Sequence, residues 1–377
     1  MSKKQPNNIV RYLDLCADVP LSVDPFSEVD ALVLCELIYA DLSGVVPPDA
    51  GMSIREVRDE YFRIHPRPRI KPQKLFLSRA PFLMDDMVDR ARFGSMTVSN
   101  YVRILDENTD GQMTAVTYLL DDGTAYVCYS GTDKTVSGWK EDFNFIYMDE
   151  TEGQRLAVEY LKDAASRTDR PLRVGGHSKG ANFAVFASAF AGESIQDRIV
   201  EVYTFEGPGF QEEIVASEGY RRIVPKVISL VPETSIIGQL LSHGYPDIVV
   251  ESSEKGILQH DGFTWVVGQG GFVRTELSET AKRFREAQEE WLSAMDDEAR
   301  EAFVTILFAP FEAAKENSLD EFSDQVKEAF SQIVSSMAGM SRARRASMGL
   351  LLKELIRSEG ARAWEKALAE FDSISRG

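Results

Sequence analysis

Leu172-Arg173-Val174-Gly175-Gly176-His177-Ser178-Lys179-Gly180-Ala181 joins a short apolar run to a small-residue helical pattern. Its centre, Gly176-His177-Ser178-Lys179-Gly180, has the G-x-S-x-G form of a serine exposed on a sharp strand-to-helix corner. A serine hydroxyl is a weak nucleophile at its own pKa, so it needs such a corner to meet a histidine that takes its proton. Gly176 and Gly180 remove side chains that would collide where the chain reverses, and Gly175 with Ala181 is expected to let the helix pack closely on the sheet. Ala181, Phe183, Ala184, Phe186, Ala187 and Phe190 then continue as a buried helix.

Strand and helix signals alternate on both sides of this corner. Upstream, Phe26, Val29, Leu32, Val33, Leu37 and Ile38 recur at three and four between Asp24 and Tyr39, which predicts an amphipathic helix capping the sheet. Pro81 to Phe93 is a second helical candidate, and Met96 to Ile104 has strand character. Met113 to Leu120 and Thr124 to Ser130 predict a hairpin, because Asp121-Asp122-Gly123 tolerates the positive φ of a tight turn. Gln154 to Ala165 reads as helix, and Val200 to Phe205, Val227 to Val231 and Ile248 to Glu251 read as further strands. The expected fold class is therefore α/β, of the α/β-hydrolase type, with a mostly parallel sheet flanked by helices.

From about Ser278 the texture changes. Phe284, Trp291, Leu292, Phe303, Ile306, Leu307, Phe311, Phe322, Val326, Phe330, Ile333 and Val334 recur at helical spacing among many charges. This predicts an all-helical extension, with breaks near Pro310, Asn317, Gly339 and Gly360. The expected domains are 1–277, the α/β-hydrolase domain with its N-terminal helical segment, and 278–377, the extension. Its aromatic stripe reads as core packing, and Arg342, Arg344 and Arg345 read as a solvated helix start.

Composition narrows the function classes. With 377 residues and 44% hydrophobic content the chain can bury a large core. A formal net charge of -18 repels phosphate backbones and anionic surfaces, so no nucleic acid partner is expected. Its one clear basic stretch, residues 65–72, is interrupted by prolines and reads as an exposed connection. Cys16, Cys35 and Cys128 show no metal or disulfide spacing and read as reduced, packed thiols. The N-terminus lacks the apolar run of a signal peptide, and no segment reaches membrane-spanning length, so a cytoplasmic location is expected.

Acyl transfer at a serine needs a base, an acid to orient it and donors for the oxyanion. The four histidines are His65, His177, His243 and His260. In the chain order Ser, acid, His, the base lies after the last strand, which favours His260 over His243. The acid belongs after the preceding strand, where Glu233 is the positional choice and Asp247 and Asp261 are rivals. Lys179, through its backbone N–H at the helix start, is expected to be one oxyanion donor, and Thr132 the second. No metal or cofactor is required by this chemistry.

Tyr129-Ser130-Gly131-Thr132, then Trp139 and Asp142, the G-H-S-x-G corner, and Thr204-Phe205-Glu206-Gly207-Pro208-Gly209 together resemble the class 3 lipases among the α/β-hydrolases. Gly138-Trp139-Lys140-Glu141-Asp142-Phe143, the corner itself and Gln259-His260-Asp261 look more closely like a bacterial lipase-like family known as Mbeg-like. The resemblance covers roughly the first two-thirds of the chain. It implies Ser178 as nucleophile and His260 as base, acting on a small ester or lipid-like substrate. Class 3 lipases place an aspartate after the penultimate strand, where this chain has Val231-Pro232-Glu233-Thr234-Ser235. That departure leaves open a dyad, an acid from elsewhere or a weakened catalyst. The expected function is a serine esterase or lipase-like hydrolase working through an acyl-enzyme. The alternative is a non-catalytic hydrolase-fold protein whose helical tail binds a protein or lipid partner.

Overall fold

The computed structural model describes residues 7–67, 79–106, 111–131 and 150–292. Among these, an eight-stranded sheet runs in strict chain order from β1 to β8. Its strands are β1 (Met52–Ser53), β2 (Thr97–Asp106), β3 (Gly111–Leu119), β4 (Ala125–Tyr129), β5 (Leu172–His177), β6 (Ile199–Phe205), β7 (Val227–Pro232) and β8 (Asp247–Val250). The first four pair antiparallel, and β4 to β8 pair parallel. The β3–β4 hairpin turns at Gly123, whose φ of +83° is left-handed, and Asp122 accepts hydrogen bonds there from the Thr124 N–H and hydroxyl.

A sheet whose parallel strands follow one another in order has a topological consequence. Right-handed crossovers between consecutive neighbours place every linking helix on the same face. The helices Glu152–Ser166, Lys179–Phe190 and Glu218–Ile223 accordingly share one core with Val127, Tyr129, Val174 and Val202. Pleating sends Tyr126, Cys128, Tyr203 and Phe205 to the opposite face. There they pack in a second core with the N-terminal helices Ile9–Cys16, Glu28–Leu37 and Ile54–Ile64. Burial of each large apolar side chain is worth about 1.5–3 kcal/mol, so uncovering the second face would cost the fold much of its stability.

The helix predicted between Asp24 and Tyr39 is Glu28–Leu37, and it is not amphipathic. It is buried on nearly every side, with Asp30 and Glu36 wholly enclosed, because it lies between the sheet and the other N-terminal elements. A capping box starts it. The Ser27 hydroxyl accepts from the Asp30 N–H while the Asp30 carboxylate accepts from the Ser27 N–H. The same carboxylate accepts from the Tyr12 hydroxyl at 2.9 Å and from Arg92 Nε at 2.6 Å. Arg92 is also fully enclosed, and its remaining donors reach the carbonyls of Val19, Asp24 and Pro25. The pair ties together three segments that cover the second face.

The second helical candidate, Pro81 to Phe93, shrinks to a 3-10 turn and the short helix Leu83–Met87. The C-terminal extension begins with the helix Glu279–Leu292, where Ala281 and Phe284 are buried. The apolar positions from Phe303 to Val334, the expected breaks near Pro310, Asn317, Gly339 and Gly360, and the Arg342 patch lie outside the described residues. Cys35 and Cys128 are free, buried thiols with their sulfurs 3.6 Å apart. Among the described residues no helix is long and apolar enough to cross a membrane.

Breaking a buried ion pair by removing one partner strands the other charge. Asp30→Ala is expected to lower unfolding free energy by about 3–5 kcal/mol, read from the urea midpoint. Replacing the pair together, as Asp30→Leu with Arg92→Met, is expected to be milder than Asp30→Ala alone.

Candidate active site

The carboxyl ends of the parallel strands are in register, and this sets the site. His177 aligns with Phe205, and Phe205 with Leu230. The ladder continues one step past each strand: the Ser178 N–H donates to the Phe205 carbonyl at 2.9 Å, Glu206 N–H to Leu230 at 2.9 Å, and Glu233 N–H to Val250 at 3.1 Å. Ser178, Glu206 and Glu233 therefore step outward along one sheet edge, with Glu206 beside the serine and Glu233 one strand further.

Ser178 sits at φ 58° and ψ -129°, a region normally left to glycine. It is the N-cap of the helix Lys179–Phe190 and makes no side-chain cap bond. A Cβ on Gly176 would strike the backbone of Gly180, and one on Gly180 would strike the Tyr129 carbonyl. The corner is held in its strained form by this backbone contact. Gly175 acts differently from expectation. Its missing Cβ clears the Tyr126 hydroxyl, so it serves the second face and not the packing of the following helix.

His260 ends the 3-10 turn Gly256–His260 that follows β8, and only 5% of it is exposed. Its Nδ1 lies 2.8 Å from Glu206 Oε2. An ionised carboxylate only accepts, so Nδ1 carries the proton and Nε2 is the basic nitrogen. The other oxygen of Glu206 accepts from the Ser235 hydroxyl at 2.8 Å and the Ile236 N–H at 3.2 Å. These donors orient the carboxylate. Glu206 reaches inward from a left-handed backbone, φ 48°, immediately after β6.

Glu233, the residue expected to partner His260, does not do so. Its Oε1 accepts from Gln259 Nε2 at 3.1 Å, and Gln259 Oε1 accepts from the Thr234 N–H at 2.8 Å. Glu233 thus latches the loop beside the histidine. The physical reason is its distance along the sheet edge: the strand next to the serine is β6, not β7. Of the two rivals, Asp247 is engaged with Ser229, Gln239 and His243. Asp261 caps the turn Gly262–Thr264 by accepting from the Phe263 N–H. His243 stacks on Tyr245 near Asp247, and His65 caps the helix Ile54–Ile64.

Lys179 is the first residue of its helix, where N–H groups have no intrahelical acceptor by construction. Its side chain is buried, with Nζ donating to Gln112 Oε1 at 3.2 Å and lying above the Phe183 ring. Thr132, Trp139 and Asp142 lie outside the described residues. No group of His, Cys, Asp and Glu among the described residues is arranged to hold a metal.

His177 is fully buried and contacts His260 directly. Its Nε2 is 2.8 Å from the His260 carbonyl oxygen, and its Nδ1 is 2.8 Å from the Tyr39 hydroxyl. The two imidazole rings lie 4.6 Å apart. Burial, reinforced by the neighbouring His260, pushes the His177 pKa well below its ordinary value, so the ring is neutral.

Taken together, a strand-to-helix serine corner on a mostly parallel sheet covered on both faces defines an α/β-hydrolase fold. The chain belongs to the Mbeg1-like family, whose model matches residues 87–309, more than half its length. It is similar to a fungal lipase–inhibitor complex described as a model for interfacial activation in lipases, at 15% identity over 45% of this chain and 68% of that one, TM-score 0.31. It is also similar to the native Rhizomucor miehei lipase–propeptide complex, at 13% identity over 44% and 58%, TM-score 0.29. A deletion mutant of that complex matches at 13% identity over 62% and 79%, TM-score 0.36. No curated protein matches the chain.

Beneath the histidine loop lies Glu36, fully buried, with neither carboxylate oxygen hydrogen-bonded among the described residues. A Cβ on Gly262 would strike it. Burial, and then the charge of Asp261, push its pKa well above the usual range, so it is a neutral acid. Burial likewise raises Asp261 to about 6. A carboxyl whose folded pKa is raised binds its proton more tightly in the folded state, so stability falls as pH climbs past the unfolded pKa. Glu36→Leu is therefore expected to differ least from wild type near pH 4 and to become progressively more stable relative to it up to pH 8. Urea midpoints measured across that range check the trend.

Proposed function

We propose that the protein is a serine hydrolase that cleaves a carboxylic ester through an acyl-enzyme on Ser178. The observation that carries this reading is the His260–Glu206 pair, set on the same sheet edge as a serine held in a strained strand-to-helix corner. In the proposed cycle, His260 Nε2 takes the Ser178 proton as Oγ adds to the ester carbonyl. Glu206 keeps the imidazole in the Nδ1–H form and stabilises the imidazolium that results. The carbonyl's electron pair goes onto oxygen, and the backbone N–H groups of Lys179 and Thr132 are the proposed donors to that oxyanion. Each such donor is worth about 3 kcal/mol of the barrier. His260 then protonates the departing alcohol. Water, deprotonated by the same nitrogen, releases the acid and restores the serine.

The Gly176–Gly180 contact supports the reading energetically as well, since backbone strain of about 1–3 kcal/mol persists only where surrounding structure over-determines it. A substrate of ester or acylglycerol type fits the proposal. The charge balance of the chain disfavours phosphate-rich substrates.

A fluorophosphonate probe is expected to label the wild type and leave Ser178→Ala unlabelled; an unlabelled, folded wild type sinks the proposal. Among p-nitrophenyl esters of increasing chain length, the best substrate defines the acyl pocket. With that ester, Glu206→Gln is expected to lower kcat by about 10³–10⁴-fold, because Ser235 and Ile236 hold the amide oxygen and the NH2 group turned to Nδ1 favours the wrong tautomer. Glu233→Gln is expected to lose far less. Equal losses in the two variants would return the acid's role to Glu233.

A further inference from the structure

The proposed triad does not use Tyr39 or His177, yet both are joined to it by hydrogen bonds whose directions can be assigned. The His260 carbonyl can only accept, so His177 Nε2 carries the proton and donates to it. His177 is neutral, so its Nδ1 has a lone pair and accepts from the Tyr39 hydroxyl. The Tyr39 oxygen in turn accepts from the Gly131 N–H. A Cβ on Gly131 would collide with that hydroxyl, so the tyrosine oxygen is seated directly on the end of the turn after β4. The chain runs one way throughout: Gly131 N–H to Tyr39, Tyr39 O–H to His177, His177 N–H to His260.

We infer that Tyr39 is a positioning residue for His260, acting through His177. The inference rests on His260 being the base of the proposed hydrolase. Three separate pieces of backbone meet at this chain: the turn after β4, the residue just before the nucleophile, and the carbonyl of the base itself. Tyr39 belongs to none of the sheet's strands. It follows the buried helix Glu28–Leu37 and comes from the face opposite the linking helices. Its ring meets His177 edge to face at 5.9 Å, which fixes the approach of the hydroxyl.

What the hydroxyl contributes is the position of the ring. The His260 carbonyl keeps the proton on Nε2, and the Tyr39 O–H holds the opposite edge of the ring at Nδ1. Without that hydroxyl the ring tilts, and the Nε2–H bond that fixes the turn carrying the imidazole loosens with it. A reacting group displaced by about 1 Å can lose 10²-fold in rate with binding unaffected. Protonation of His177 has a related effect, because Nδ1 becomes a donor facing a hydroxyl hydrogen. Its burial suppresses that form.

Tyr39→Phe is the direct test, since it removes one oxygen and retains the ring. Proton–nitrogen correlation spectra of the full chain are expected to show His177 as the Nε2–H tautomer in wild type. In Tyr39→Phe they are expected to show the same tautomer with the His177 Nε2–H and His260 Nδ1–H signals displaced. On a p-nitrophenyl ester, kcat is expected to fall by roughly 10–100-fold with KM little changed. His177→Gln keeps an N–H for the His260 carbonyl but no ring for Tyr39 to hold, so Tyr39→Phe is expected to have little further effect in that background.

Unchanged His177 and His260 signals in Tyr39→Phe overturn the inference, as does a lowered melting temperature with wild-type kcat. Fully additive losses in the double variant overturn it too. If the wild type itself hydrolyses no ester and takes no fluorophosphonate, the hydrolase reading fails, and the spectra still decide whether Tyr39 positions His177 against the His260 carbonyl.

Discussion

The contact between Gly176 and Gly180 constrains everything around it. Two backbones meet where any side chain would collide, and Ser178 is held between them at a positive φ. That geometry requires a strand ending and a helix beginning within one residue, both already anchored. The strand is anchored by parallel neighbours on either side, and the helix by the linking-helix core. The corner therefore exists only because two packed layers hold it, and the strain it stores is balanced by burial elsewhere. The loops that carry Glu206 and His260 do not need to be strained in the same degree. They need only arrive at the same edge, and the in-phase register of β5, β6 and β7 brings the first of them there.

The strands and their order of appearance were legible in the sequence because apolar runs bounded by turn residues leave few other readings. The hairpin at Asp121-Asp122-Gly123 and the strand before Ser178 are examples. The fate of Glu206 was not legible, although it stands in the quoted run Thr204-Phe205-Glu206-Gly207-Pro208-Gly209. Chain order points to a carboxylate after the penultimate strand, whereas the carboxylate that meets His260 is the one nearest the serine along the sheet edge. Which strand lies next to β5 is a tertiary fact. A signal did exist: the glycine after Glu206 has no Cβ to strike Ala181, so the run leaving β6 can pass close to the serine corner.

Two other misreadings have a common origin. Gly175 was assigned to helix packing, and the helix Glu28–Leu37 was read as amphipathic. Both depend on how thoroughly the second face is covered. Gly175 points to that face and clears Tyr126. The helix is enclosed because further segments, pinned by Arg92 and Asp30, lie over it. Periodicity reports one apolar stripe and cannot report a second layer laid across the polar side. Where such a layer exists, its polar residues must be paired, as Asp30 is, or neutral, as Glu36 is.

The stretch recognisable by family begins at residue 87, whereas the helices that cover the second face all begin before it. The unit identifiable by descent is thus shorter than the unit that can fold. A fragment cut at the family boundary would keep the serine corner, β6 and the histidine loop, yet expose Tyr126, Tyr203 and Phe205 to water. It would also lack Tyr39. The family boundary and the cooperative boundary differ here by an entire layer of protein, one the sheet cannot do without.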